Sequence, residues 1–130
     1  MSKNLDIYID QGSDFIATFP PITNPQGEIM DLTGYTVVCQ IRRSYATIYA
    51  VQMTVDNSQF SSGVITITLS NAETAGLFPT RWVYDVDIID TNGIITKVFE
   101  GLSIVNPSVS SKPDTTLLSP YIPVDFGGLL

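Results

Sequence analysis

Along most of this chain apolar side chains recur at every second position, the period of a strand that buries one face. Leu5, Ile7 and Ile9 alternate with Asp6, Tyr8 and Asp10, and Phe15, Ala17 and Phe19 follow on one parity. Tyr35, Val37, Cys39 and Ile41 face one way, while Thr36, Gln40 and Arg42 face the other. Tyr49, Val51, Met53 and Val55 repeat the scheme. So do 64–69, with Thr66 and Thr68 outward, and 82–88, with Asp85 and Asp87 outward. β-branched and aromatic residues dominate these runs, as a pleated, half-buried surface favours. Turn residues bound them: Gly12-Ser13, Asn24-Pro25-Gln26-Gly27, Asp56-Asn57 and Ser61-Ser62-Gly63.

Two local signals are sharper. Asp90-Thr91-Asn92-Gly93 predicts a hairpin between strands at 82–89 and 94–105, with Asn92 and Gly93 at the centre of a type I′ turn. In the second strand Gly101 marks a bulge or a close backbone approach. Ser70-Asn71-Ala72-Glu73 reads as a capping box that opens one helical turn. Gly76 ends that turn and Pro79 prevents its extension. The expected fold is all-β, an immunoglobulin-like antiparallel β-sandwich with one short helix. A barrel is the structural alternative. The sandwich is expected over residues 1–105 and an extended arm over 106–130.

The arm breaks the period. Pro107, Pro113, Pro120 and Pro123 exclude a helix or a central strand there. Its charges are Lys112, Asp114 and Asp125, yet it carries Leu117, Leu118, Tyr121, Ile122, Val124, Phe126, Leu129 and Leu130. A solvated tail is polar and charged. This one reads as an apolar strap lying on a surface, and those eight are the expected partner-binding residues. A single sandwich has little room for them after filling its own core, so a neighbouring subunit is the expected receiver. Folding back over the chain's own open sheet edge is the alternative.

Charge narrows the partners. The chain has 130 residues, enough for one domain, with 13 acidic and six basic side chains and a formal charge of −7. Nucleic acid is therefore not an expected partner, because neutralising phosphates takes clustered Lys and Arg. The basic pair Arg42-Arg43 reads as a strand edge or as salt-bridge partners. The single cysteine, Cys39, permits no intrachain disulfide and reads as a small buried hydrophobe. No signal peptide or apolar run long enough for a bilayer is visible, so the expectation is no membrane and synthesis in a reducing cytoplasm.

Candidate chemistry is thin. Histidine is absent, and Ser111-Lys112 lie adjacent in the Pro-rich segment, where neighbours point apart. Asp85, Asp87 and Asp90 could serve as acid–base or calcium carboxylates, but a solvated negative face explains them, and no ligand loop accompanies them. Gly12, Gly63 and Gly127-Gly128 lack the spacing of a phosphate-cradling loop. Tyr8, Tyr35, Tyr45, Tyr49, Trp82 and Tyr84 could form a sugar platform, against the plainer reading of core and sheet packing. No metal, no cofactor and no catalytic residue is expected.

Four stretches together resemble small virion proteins of tailed bacteriophages, especially the contractile-tailed phages of cyanobacteria. They are Asp6–Phe15 (DIYIDQGSDF), Leu32–Tyr35 (LTGY), Val83–Gly93 (VYDVDIIDTNG) and Glu100–Ser110 (EGLSIVNPSVS). The middle of the pattern also resembles the immunoglobulin-like N-terminal domain of phage baseplate upper proteins. In that family LTGY opens a strand, and an Ile-Thr-Leu strand, a short helical turn and a Tyr-Asp-rich hairpin follow. Here those positions are Ile67-Thr68-Leu69, Ser70–Gly76 and Tyr84–Gly93. The resemblance spans about Leu5 to Ser110. It implies a structural, non-enzymatic subunit of the virion, in the tail, baseplate or fibre attachment region, made in the host cytoplasm. Its implied partners are other virion proteins and copies of itself. A capsid decoration or neck protein, or a carbohydrate- or receptor-binding module, are the alternatives.

Overall fold

The computed structural model of the chain describes residues 2–47 and 50–109. In these residues the strands are β1 (Lys3–Asn4), β2 (Ile7–Asp10), β3 (Phe15–Thr18), β4 (Thr36–Arg42), β5 (Ala50–Gln52), β6 (Thr54–Asp56), β7 (Thr66–Leu69), β8 (Arg81–Ile89) and β9 (Ile95–Asn106). The single α-helix among them, α1, covers Asn71–Ala75. The large sheet runs β1-β9-β8-β4-β5, with β2 also on β9, and the small sheet runs β3-β7-β6. That order is the immunoglobulin one: the last two strands beside the fourth and fifth in one sheet, the third, seventh and sixth in the other. The chain is an all-β sandwich.

The alternating parities meet in one core. Ile7, Ile9, Cys39, Ile41, Met53, Ile65, Ile67 and Leu69 enter it from odd positions, and Trp82, Tyr84, Val86 and Ile88 from even ones. β9 changes parity within itself. Val86 opposes Phe99 while Asp87 opposes Lys97, so Val98 is an inserted residue and both Val98 and Phe99 point inward. The bulge therefore lies at Val98, and Gly101 is the close approach. A Cβ at Gly101 would overlap the Leu5 carbonyl oxygen.

Three features depart from the expected pattern. First, β1 and β2 pair with β9 in parallel, in one continuous register from Lys3↔Phe99 to Asp10↔Asn106. The other named pairings are antiparallel. Second, the run expected as one strand around Met53 is two. Residues 50–52 join β4, and 54–56 join β7 in the opposite sheet. Met53 is the corner, buried and tied to the Cys39 carbonyl by its amide at 2.9 Å. Third, the hairpin turn is not type I′. Gly93 N–H donates to the Asp90 carbonyl at 3.0 Å, which makes Thr91 and Asn92 the central residues. Gly93 follows them with φ +82°, the pattern of a three-residue loop. The Asp90 carboxylate selects it by accepting the amides of Asn92 and Ile94, each at 2.9 Å.

Aromatic rings bridge the two sheets. Phe19, just past β3, stacks at 4.5 Å between centroids on Phe99 and lies 6.2 Å from Tyr84. Trp82, near the start of β8, donates its indole N–H to the Phe78 carbonyl at 3.0 Å. The capping box forms as the sequence predicts. Ser70 Oγ accepts the Glu73 amide at 3.1 Å, and Glu73 Oε1 accepts the Ser70 amide at 2.8 Å. Among the described residues no helix is long and apolar enough to cross a membrane.

Trp82→Ala should cost about 3–5 kcal/mol of unfolding free energy, the range for emptying a buried aromatic site. Urea denaturation measures it, and a loss below about 1 kcal/mol would place the ring outside the core. Gly101→Ala should cost about 1–3 kcal/mol, because the new methyl group overlaps the Leu5 carbonyl. Its amide exchange should rise in β1 and β2 before the rest of the sheet.

Candidate docking surfaces

The eight arm residues expected to bind a partner, Leu117 through Leu130, lie outside the described residues, as do Ser111, Lys112 and Tyr49. What the structure fixes is where the arm departs. Gln11 is buried behind the end of β2 and donates its side-chain amide to the Leu77 carbonyl at 3.0 Å. Its Oε1 accepts the Ser108 amide at 3.2 Å. Thr74 Oγ1 accepts from Gly12 N–H and donates to the Ser13 carbonyl, at 3.0 and 2.8 Å. Asp14 then accepts the amide of Asn71 at 2.7 Å. These bonds pin the end of β9, the turn after β2 and α1 together. The arm thus leaves beside the beginning of β3.

β3 is an unfinished edge. In the four-stranded sheet of an immunoglobulin domain the first strand lies outside the second. Here the N-terminal strands sit on β9, and no described strand occupies that place. Phe15 and Ala17 face inward but are only half-buried, whereas their partners across the ladder, Leu69 and Ile67, are 2% and 0% exposed. Ile16 on the outer face is 69% exposed. Phe19 N–H bonds to the Ile65 carbonyl, so by strand alternation Phe15 and Ala17 also direct their amides to β7. The N–H and C=O of Ile16 and Thr18 point away from it, with no backbone partner among the described residues. Pro20-Pro21 close this edge on one side and the Gly12-Ser13 turn on the other.

A second concave surface lies at the hairpin end. It is a groove of about 310 Å³ lined by Ile22, Met30, Ile94 and Phe99, with Lys3 and Asp90 among its polar residues. Exposed Ile94 and Ile95 flank the turn there. The sequence offers a signal for it, two consecutive apolar residues after a turn, which strand alternation does not explain.

The carboxylates do not gather into one site. Asp85 and Asp87 lie on the outer face of β8, where Lys97 spans Asp85 at 3.6 Å and Glu100 at 3.5 Å. Asp90 is engaged in the turn. Among the described residues no set of three His, Cys, Asp or Glu could hold a metal ion. Asp87 is the strained member. Burial first, and then the charge of Asp85, raise its pKa above the usual carboxylate range. Its Oδ1 is buried without a hydrogen-bond partner. Cys39 is buried, within 3.5 Å of Met53 Sδ, and desolvation pushes its thiol up to about 12. A thiol held so firmly protonated is a poor nucleophile.

Among the described residues the exposed tyrosines do not converge either. Tyr84 is core, and its hydroxyl donates to the Leu5 carbonyl. Tyr8 is exposed on β2, and exposed Tyr45 follows β4, with β9 and β8 between the two strands. That is roughly 14 Å of sheet. Arg43 lies over the rings of Phe78 and Trp82, 5.7 and 5.6 Å from their centroids. Arg42 bonds to the Thr47 carbonyl and to Gln40. The basic pair therefore serves local packing.

No family model matches the chain, and no curated protein matches it. Among solved structures, a mutant of the SrpA adhesin of Streptococcus sanguinis aligns over 92% of this chain and 59% of its own, at 10% identity and a TM-score of 0.47. A chain of the complex of ICOS with ICOS-L and an anti-ICOS-L VNAR domain aligns over 82% and 56%, at 11% identity and 0.43. An internalin-like protein of Listeria monocytogenes aligns over 82% and 28%, at 15% identity and 0.40. This chain spans little more than half of the first two. Scores this low carry no weight for function, and the fold rests on the strand order itself.

Asp87→Asn should raise the melting temperature at neutral pH. A carboxyl whose folded pKa is raised above its unfolded value weakens the fold once both states ionise. That penalty disappears as pH falls below the unfolded value, about 3.9. The gain from the Asn variant should accordingly shrink through mildly acidic pH, as thermal melts across that range will show.

Proposed function

We propose that this chain is a non-enzymatic structural subunit of a tailed-phage virion, an assembly or adaptor piece of the tail, baseplate or fibre attachment region. It docks to its neighbours through residues 106–130. The observation that carries the reading is the pairing of a sandwich having an unfinished edge with a segment unsuited to solvent. That segment holds nine large apolar residues, Val109 and the eight expected partner-binding ones, against three charges. Its prolines pre-set an extended backbone, which lowers the entropy lost on docking. The four stretches that resemble phage virion proteins give the setting.

A binding module for a receptor or carbohydrate is the second reading. The groove near Ile22 and Ile94 favours it, being at the small end of ligand-pocket volumes.

Truncation after Ser111 tests the proposal. The shortened protein should fold with near-normal stability and fail to incorporate into particles. Mass spectrometry of separated heads and tails should find the full chain in the tail fraction. Unfolding on truncation, or normal incorporation without the arm, would overturn the arm's role. Recovery with heads would move the protein to a decoration or neck position.

A further inference from the structure

We infer that the open edge of β3 is the acceptor for the arm of a neighbouring copy of this chain, whose segment 114–119 adds the strand that the small sheet lacks. The inference rests on the docking role proposed above and names the receiving surface. Its first support is fit of length. The edge is open only from Phe15 to Thr18, between the turn at Gly12-Ser13 and Pro20-Pro21. The arm between Pro113 and Pro120 is the six residues Asp114-Thr115-Thr116-Leu117-Leu118-Ser119, free of proline and able to donate along its whole length.

The second support is chemistry. Strand addition matches main-chain groups, and alternate side chains supply specificity. Ile16 and Thr18 offer unpaired N–H and C=O groups to the incoming strand. Leu117 and Leu118 fall on opposite faces of a strand. One would lie beside exposed Ile16, and the other would cover half-buried Phe15 and Ala17, closing the core on that side.

Reach favours a neighbour over the chain's own arm. An antiparallel strand in cis would have to enter at the Thr18 end, although the arm departs near Phe15. Residues 110–114 span about 17 Å when fully extended. β3 is itself about 13 Å long, and the sheets are about 10 Å apart. Extension alone would be used up, with nothing left for the turn. A parallel strand in cis is within reach but pairs less stably. The arm of a second copy has neither restriction.

The test uses the full chain. Ile16→Pro removes an edge-facing donor and leaves the bonds from Phe15 and Ala17 to β7 in place. It should melt within a few degrees of wild type and weaken self-association by at least about tenfold, measured by light scattering across concentration. A readout independent of that variant mixes Ile16→Cys protein with Leu117→Cys protein under oxidation, with buried Cys39 silent. The expected product is a disulfide-linked dimer of one of each. If truncation after Ser111 abolishes association while Ile16→Pro preserves it and no mixed dimer forms, the arm docks elsewhere and only this inference fails. If truncation leaves association intact, the docking role itself fails. In a variant carrying both Ile16→Cys and Leu117→Cys, a bond formed only within single chains also overturns it, as does a wild-type chain monomeric at its highest soluble concentration.

Discussion

The backbone at Leu5 is held from two sides. Its amide donates to the Glu100 carbonyl at 2.9 Å, and its carbonyl accepts the hydroxyl of Tyr84 from the central strand β8. Gly101 lies between them in the ladder, opposite Tyr84, and has no side chain to keep the Leu5 carbonyl out. Asp6 adds a bond from the Leu102 amide to its carboxylate at 3.1 Å. A buried hydroxyl without a partner costs on the order of 1–3 kcal/mol, so Tyr84 and Leu5 secure each other. This seating commits the N-terminal strand to β9. One sheet is completed by it, and in the other no described strand covers β3. The open edge is thus a consequence of how the opposite sheet is finished.

The same economy shapes the polar groups. With few basic side chains, the large sheet carries unbalanced carboxylates on its outer face, and Lys97 serves both Asp85 and Glu100. Exposed pairs of this kind contribute little to stability. Their value lies in negative repulsion between sheet faces, which discourages stacking of copies through the wide sheet. The small sheet carries one outward carboxylate on its named strands, Asp56 on β6. Its outer face shows Ile16, and threonines pair across it at Thr18 and Thr66, 3.0 Å apart. The two sheets therefore differ in what they permit.

What was legible in the sequence was whatever depends on neighbours along the chain. Parity placed Ile65, Ile67 and Leu69 inside, and the Ser70–Glu73 spacing gave the capping box, because both are set within a few residues. The turn at Asp90 was placed correctly but typed wrongly. Asn-Gly fits two turn geometries, and the choice was made by the Asp90 carboxylate reaching forward to two amides. Parity alone could not reveal that Met53 is a corner, since both halves of the run keep the same inward face while changing sheets. The parallel seat of β1 and β2 was hidden for a related reason. It depends on residues 96 positions apart, and its one local mark was Gly101. The vacancy beside β3 followed from that seat and was equally out of sight. The expected partner residues 117–130 fall outside the described part, so their placement stands as proposed.

An open edge is normally a hazard, because any extended chain can pair with it. Here the pairing is limited in strength. Ordering six backbone residues costs roughly 6–12 kcal/mol. Burying two leucines returns about 3–6 kcal/mol, and each new hydrogen bond about 0.5–1.5 kcal/mol net. These terms nearly cancel, so a lone strand on a lone edge is held weakly. The prolines at 113 and 120 reduce the ordering cost by restricting the free arm. The apolar residues beyond Pro120 add contacts that four open edge residues could not supply. Association of this kind becomes strong when several arms engage at once, because each linkage raises the effective concentration for the next. A short edge, bounded by Gly12-Ser13 and Pro20-Pro21, is suited to that regime: a single arm would hold a pair only weakly, and several arms engaged together would hold it firmly.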